Sequence, residues 1–232
     1  MHPERHRFYH PELDLSPEQE LEGSEVHHMS KVLRMKVGED VILLNGKGRL
    51  VSAEIKELKK DRGRFRVLDD LPSWDMPSGL HIAMAPTKNM DRMEWFLEKA
   101  VEMGLGRFSL IGTQRSERNK VRMDRLERIA VSAMKQSLRT YLPRLESMHD
   151  YKPFITGASE SDRFIAHCYE GDKSTEISVG GSTLILIGPE GDFTEEEVRE
   201  AKEMGFHALG LGAARLRTET AALKAVALYN RL

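Results

Sequence analysis

Apolar positions recur with two different rhythms, and the change falls near the middle of the first hundred residues. In the first part the apolar runs are short. Asp40-Val41-Ile42-Leu43-Leu44 is followed by Asn45-Gly46, the dipeptide favoured in tight hairpin turns, which predicts a strand and a turn. Arg49 to Leu58 alternates imperfectly, with Leu50, Ile55 and Leu58 among charged residues. Arg64-Phe65-Arg66-Val67-Leu68 alternates more clearly. One helix is expected between these strands, from Ser24 through Leu33, with His27, His28 and Lys31 among its polar positions. Together these elements predict a small β-barrel-like domain of ~70 residues, near the lower limit for independent folding. Leu71-Pro72-Ser73-Trp74-Asp75-Met76-Pro77-Ser78-Gly79 then reads as a linker, rich in proline, serine and glycine.

After that segment, strands alternate with helices. Leu80–Met84, Arg107–Ile111, Arg163–Cys168, Thr183–Ile187 and His207–Leu211 read as strands. Asp91 to Met103 reads as a helix, with Met93, Phe96, Leu97, Ala100 and Val101 on one face and Gly104 as its stop. Met123 to Leu138 is a second helix, presenting Leu126, Ile129, Ala130, Ala133 and Met134. Thr194 caps a third, with Glu197 three residues on completing a capping box and Gly205 ending it. Thr218 begins a C-terminal helix. Alternation of this kind predicts a mostly parallel sheet with helices on both faces. Ligands of such sheets sit at the carboxyl ends of the strands.

Composition narrows the picture. The 232 residues are 40% hydrophobic and 31% charged, which supports a core and excludes a disordered chain. One cysteine, Cys168, excludes an internal disulfide framework and any zinc site built on several thiolates. No apolar run approaches the ~18 residues of a membrane span, and the polar start MHPERHRFYH lacks a signal-peptide core. A cytoplasmic, non-membrane protein is expected. Nine histidines invite a metal reading, but His27 and His28 point to different sides of a helix and no carboxylate–histidine spacing supports one, so no metal is expected. The twelve methionines read as core filler, and Trp74 and Trp95 as packing residues.

The net charge of −2 hides an asymmetry. Residues 86–145 hold 13 basic and 7 acidic residues, a net of +6, whereas residues 146–204 hold 5 and 14, a net of −9. A local basic stripe either binds phosphate backbones or forms a solvated helix face, and both readings are compatible with the charge count.

Two glycine-containing loops follow the last two strands. The first is Gly188-Pro189-Glu190-Gly191-Asp192-Phe193-Thr194, and the second is Gly212-Ala213-Ala214-Arg215-Leu216-Arg217-Thr218. Glycine lets a backbone approach a ligand closely, and helix starts offer free N–H groups. Neither loop is a P-loop or a G-x-G-x-x-G fingerprint, and ordinary strand-to-helix turns would share their spacing.

These residues carry a resemblance. Gly188-Pro189-Glu190-Gly191, and Leu211-Gly212 followed by Leu216-Arg217-Thr218-Glu219-Thr220-Ala221, resemble the two C-terminal motifs of the RsmE family of SPOUT-class methyltransferases. Arg5-His6-Arg7-Phe8-Tyr9-His10 is similar to that family's N-terminal arm, and His28 through Gly38 to its His-x-x-x-Val-Leu-Arg motif. Lys88–Glu94 with Lys99–Gly104, and Gln136-Ser137 with Arg139 and Pro143, resemble further family segments in the same order.

The resemblance implies an α/β protein in two domains, a PUA-like RNA-binding β-barrel over 1–72 and a SPOUT methyltransferase domain over 78–232 with a deep trefoil knot. It implies a homodimer that uses S-adenosyl-L-methionine to methylate a uridine at ring nitrogen N3 in 16S ribosomal RNA of the small subunit. The implied cofactor-binding residues are His167, Gly188, Pro189, Glu190, Gly191, Leu211, Gly212, Leu216, Arg217 and Thr218. Arg217 is expected to stabilise charge on the uracil, with Glu190 or Glu219 as proton acceptor. Arg7, Arg34, Lys88, Arg115 and Arg139 are the candidate RNA contacts. The chain departs from the family pattern at Asp192, where the family usually has glycine, at Ala213-Ala214, where it has Pro-Arg, and at Asn89, where glycine is frequent. These departures keep two alternatives open: a non-catalytic RNA-binding protein, and a methyltransferase acting on another RNA position.

Overall fold

A computed structural model describes residues 6–118, 120–177 and 181–230. Arg5 of the N-terminal arm lies outside the described residues. The chain divides into two compact units, Met1–Pro77 with Met134–Leu142, and Ser78–Ala133 with Pro143–Leu232.

The first unit holds strands β1 (Arg7–Tyr9), β2 (Glu18–Glu22), β3 (Asp40–Leu44), β4 (Leu50–Leu58) and β5 (Arg62–Asp70) in the order β1-β3-β4-β5-β2. β1 joins β3 in parallel and the other pairs are antiparallel, which makes a mixed half-barrel sheet. Phe8, Val26, Met29, Leu43, Val51 and Phe65 form its core.

Three details of this unit differ from the sequence expectation. The single helix predicted over Ser24–Leu33 is one α-turn, α1 (Ser24–His27), followed by a π-turn over His28–Val32. The wider turn keeps both Val26 and Met29 buried and closes with the Met35 N–H on the Met29 carbonyl, 3.0 Å away, leaving Arg34 left-handed at φ 54°. The turn at Asn45-Gly46 is a longer loop. Asn45 Oδ1 accepts from the N–H groups of Lys47 at 2.8 Å and Arg49 at 3.1 Å, and Gly48 is left-handed where a Cβ would strike the Tyr141 ring. The segment read as a linker is docked: buried Asp75 accepts from the N–H groups of Thr140 and Tyr141 at 2.8 and 3.1 Å and pairs with Arg139 at 2.7 Å. Composition marks the prolines of that segment but not the one carboxylate that anchors it. Trp74 and Trp95 are not packing residues, being 58% and 45% exposed, and Trp74 stacks beneath the Arg139 guanidinium at 5.5 Å.

The second unit holds a six-stranded sheet of β6 (Leu80–Met84), β7 (Arg107–Gly112), β8 (Arg144–Asp150), β9 (Asp162–Ala166), β10 (Thr183–Ile187) and β11 (His207–Leu209). The order is β11-β9-β10-β6-β7-β8, and every adjacent pair is parallel. The central strands β6 and β10 are buried at all five positions, as a sheet covered on both faces requires. Helices α2 (Met90–Glu102), α3 (Met123–Gln136), α4 (Tyr151–Thr156), α5 (Glu195–Glu203) and α6 (Thr218–Asn230) connect the strands or end the unit. Asn89, one of the departures, caps α2 by accepting from the Asp91 N–H at 2.9 Å. Thr194 and Glu197 form the expected capping box on α5.

Near the amino ends of β6 and β7 lies a closed polar network. His81 Nδ1 donates to Glu160 at 2.6 Å, and His81 Nε2 lies 2.7 Å from the Ser109 hydroxyl. Glu146 accepts from Ser109 at 2.6 Å and from Arg107 at 2.9 Å through both oxygens. The His81 hydrogen bond is the main reason that the Glu160 carboxyl is held down at about 2. Among the described residues, no helix is long and apolar enough to cross a membrane, and no cluster of three or more His, Cys, Asp or Glu side chains has metal-site geometry.

Candidate active site

At the opposite, carboxyl ends of β9, β10 and β11 the chain encloses a cavity of about 800 Å³. Its walls come from three stretches: Ala166 through Glu170 after β9, Ile187 through Asp192 after β10 (Gly191 excepted), and Leu209 through Thr218 after β11. The volume lies within the range of ligand pockets, and the position is the one that parallel sheets reserve for ligands.

The first loop is tightly built. The Asp192 N–H donates to the Pro189 carbonyl at 2.9 Å, which closes a turn. Asp192 itself is left-handed at φ 63°, the conformation that explains a glycine preference here. Aspartate is one of the few other residues that tolerates it. Its carboxylate accepts from the N–H of Phe193 at 2.8 Å and from the N–H of Cys168 at 2.7 Å, so it ties the loop after β10 to the end of β9. Gly188 suits the close packing here, because a Cβ there would lie a tight 3.1 Å from the ring and backbone nitrogen of Phe193. Glu190 accepts from the Lys88 backbone N–H at 3.0 Å. The second loop is more exposed, with Gly212 left-handed at φ 98° and Ala213, Ala214 and Arg215 open to solvent on the cavity wall.

His167 is the buried histidine of this wall. It is 9% exposed, and neither ring nitrogen has a hydrogen-bond partner among the described residues. Burial, and then the charge of Lys173, lower its pKa, so the ring is neutral at pH 7. Lys173 is held beside it, with Nζ donating to the His167 carbonyl at 2.9 Å. Burial and the neighbouring Asp192 push the Cys168 thiol up, which makes it a poor nucleophile.

The structure brings nine of the predicted cofactor residues to one cavity: His167, Gly188, Pro189, Glu190, Leu211, Gly212, Leu216, Arg217 and Thr218. Gly191 does not line it; its carbonyl accepts instead from Arg115 at 2.7 Å. Glu219 is buried in the first turn of α6, 3.8 Å from Arg92, outside the lining. Of the predicted RNA contacts, Lys88 is 59% exposed and pairs with Glu117 at 2.6 Å. Arg7, Arg34 and Arg139 belong to the first unit, where Arg34 is exposed and Arg7 reaches the Leu138 carbonyl at 3.4 Å. Sequence reasoning missed Cys168, Tyr169 and Lys173 as wall residues, whereas Asp192 belongs to the first glycine loop that it singled out. The available signal was their place just past the carboxyl end of a strand.

These residues fit S-adenosylmethionine, the cofactor that the resemblance implies. Ile187, Leu209, Leu211 and Leu216 give apolar walls for an adenine ring, and the loops bring backbone polar groups to the same space. His167 lines the same pocket, and its two buried ring nitrogens have no hydrogen-bond partner among the described residues.

The sequence matches the RNA methyltransferase domain family over residues 75–230 and the RNA methyltransferase PUA domain family over residues 21–68. It is 30% identical to the ribosomal RNA small subunit methyltransferase E of Bacillus subtilis (strain 168), covering 93% of this chain and 90% of that protein. The fold superposes with a TM-score of 0.85 on the probable rRNA-methyltransferase of Porphyromonas gingivalis, at 37% identity over 95% of this chain and 94% of that one. It superposes equally, with a TM-score of 0.85, on the ribosomal RNA small subunit methyltransferase E of Neisseria gonorrhoeae bound to S-adenosyl methionine, at 30% identity over 96% and 95% of the two chains. With a family match over most of its length and a relative aligned nearly end to end, the chain belongs to the ribosomal RNA small subunit methyltransferase E family of RNA methyltransferases.

Proposed function

We propose that this protein transfers a methyl group from S-adenosylmethionine to ring nitrogen N3 of a uridine in the 16S ribosomal RNA of the small subunit. The observation that carries the reading is the cavity between the two glycine loops, walled by nine of the ten residues that the family motifs assign to the cofactor. Bound there, the cofactor supplies an electrophilic methyl group. The chain's own task is then largely positioning and charge management. The uracil must leave its stack to reach the cavity, which the basic segment around 118–128 assists by holding the phosphate backbone.

Arg217 lines the cavity and stabilises the negative charge that grows on the uracil as its N3 proton departs. The motifs supply two carboxylates, Glu190 and Glu219; of the other carboxylates on the wall, Asp192 is engaged by two backbone N–H groups and Glu170 lies outside the motifs. Glu190 stands on the cavity wall and Glu219 does not, which favours Glu190 as the proton acceptor, with Glu219 holding Arg92. The first unit, including Arg7 and Arg34, contacts RNA as a PUA-like module, and two copies of the chain associate as a homodimer in the cytoplasm.

The deep knot is part of the same proposal. β11 pairs with β9 on one edge and bridges Ser174 on the other, so the segment after β9 passes outside β11. The chain beyond β11 then packs as α6 against α2, β6 and β10, back across the sheet. That path is what a threaded chain requires. The test is transfer of labelled methyl to small ribosomal subunits from a strain lacking the endogenous enzyme, followed by nucleoside mapping. The expected product is 3-methyluridine at one position of 16S ribosomal RNA. Absence of transfer, or label in another nucleoside, contradicts the proposal.

A further inference from the structure

Arg115 sits in the turn after β7, within the basic segment, and its surroundings are those of a structural strut. Its Nη1 donates to the Gly191 carbonyl at 2.7 Å and to the Phe193 carbonyl at 3.2 Å, and reaches the Tyr169 hydroxyl at 3.4 Å. Tyr169 donates to the same Phe193 carbonyl at 2.8 Å. The aliphatic stem lies along Gly191, where an added Cβ would meet Arg115 Cδ and Cβ at 3.4 and 3.5 Å. A Cβ there would be in ordinary van der Waals contact with the stem, so Gly191 and Arg115 are packed together without a steric demand for glycine. The preceding residue in the turn is tied to the same region, since the Gln114 N–H donates to Glu197 of the α5 capping box at 2.8 Å.

We propose that Arg115 is a positioning residue that fixes the 188–193 loop in its cofactor-binding shape. The inference rests on the proposed cofactor site and gives the first loop a support that no local sequence feature supplies. Gly191 and Phe193 are the two residues flanking left-handed Asp192, so both ends of the strained step are held by one guanidinium. Charge-assisted donation to carbonyls is stronger than a neutral hydrogen bond, and its loss lets the loop sample other shapes. A phosphate contact by the same group would compete with these carbonyls for its donors.

The experiment compares Arg115→Gln, Arg115→Lys and Tyr169→Phe in the full-length protein. S-adenosylmethionine affinity is read by calorimetry, and affinity for a 16S ribosomal RNA fragment is read without cofactor across a salt series. Arg115→Gln is expected to weaken cofactor binding about tenfold and raise the KM for cofactor, with RNA affinity changed less than about twofold and its salt dependence unaltered. Arg115→Lys recovers part of the loss. Tyr169→Phe gives a smaller loss, about threefold, that is not additive with Arg115→Gln because both donors share one carbonyl. Should Arg115→Gln not fold, Tyr169→Phe carries the test alone, and unchanged cofactor affinity there overturns the proposal. Unchanged cofactor affinity in Arg115→Gln, or a fall in RNA affinity with a shallower salt slope, also overturns it. Failure of the unmodified protein to bind cofactor would instead refute the proposed function.

Discussion

Two histidines of the parallel sheet are buried to similar depth, His81 at 3% exposure and His167 at 9%, and their surroundings are opposite. His81, near the amino ends of the strands, has both ring nitrogens engaged, one by Glu160 and one by Ser109. His167, just past the carboxyl end of β9, has neither nitrogen engaged among the described residues and lines a cavity of about 800 Å³. A buried polar group without a partner costs free energy, and beside a cavity a ligand is one way to supply the partner. The contrast sets a closed, internally satisfied part of the sheet against the part that borders the candidate site.

The largest effect that sharpens this contrast is at the carboxyl end. Arg217→Ala is expected to lower the rate of methyl transfer about 10²–10³-fold, more than it weakens cofactor binding, as single-turnover kinetics and calorimetry together will read. At the amino end, His81→Ala leaves Glu160 and Ser109 facing an empty space. It should cost about 3 kcal/mol in urea unfolding while leaving cofactor affinity unchanged. His167→Ala should show the reverse, with cofactor affinity about tenfold weaker and stability within about 0.5 kcal/mol of the parent. Equal losses of stability in the two histidine variants would break the comparison.

Smaller effects follow from the loop and the network. Asp192→Ala loses two carboxylate hydrogen bonds and keeps a left-handed backbone, at a cost of about 2 kcal/mol, whereas Asp192→Gly should cost about 1 kcal/mol because glycine accepts that conformation. The network adds a pH effect, confined to acid. The Glu160 carboxyl is held at about 2, below its ordinary 4.5, mainly by the His81 hydrogen bond. The stability it contributes is fully present above pH 4.5 and is lost as pH falls toward about 2. Glu160→Gln should therefore flatten the acid limb of the stability curve in that window, measured by urea midpoints at successive pH values.

Much of the second unit was legible because burial on both faces leaves continuous apolar runs. Thr183–Ile187 was found with its bounds intact, and the α5 cap was read from Thr194 and Glu197. Strands with mixed composition were missed. β2 reads Glu-Gln-Glu-Leu-Glu and turns Gln19 inward, satisfied by Asp14 and Ser16. β8 is an edge strand with no fully buried position, so nothing forces it to alternate. α4 carries Pro153 in its first turn and is only six residues long.

The candidate site was legible as two glycine loops and a family motif. The partners that shape those loops were not, because Arg115, Cys168 and Lys88 reach them from segments 24 to 102 residues away in sequence. Charge counting placed Arg115 in a basic stripe; only the folded chain shows which carbonyls receive its donors. The departure at Asp192 likewise became intelligible once its backbone was seen to be left-handed.

The most direct measurement is a structure of this protein with S-adenosylmethionine bound. The account predicts the cofactor between the 188–192 and 210–217 loops, with a ring nitrogen of His167 within hydrogen-bond distance of the ligand or of a water bound to it. A cofactor seated elsewhere on the sheet, or a His167 still unpartnered beside it, would contradict the account.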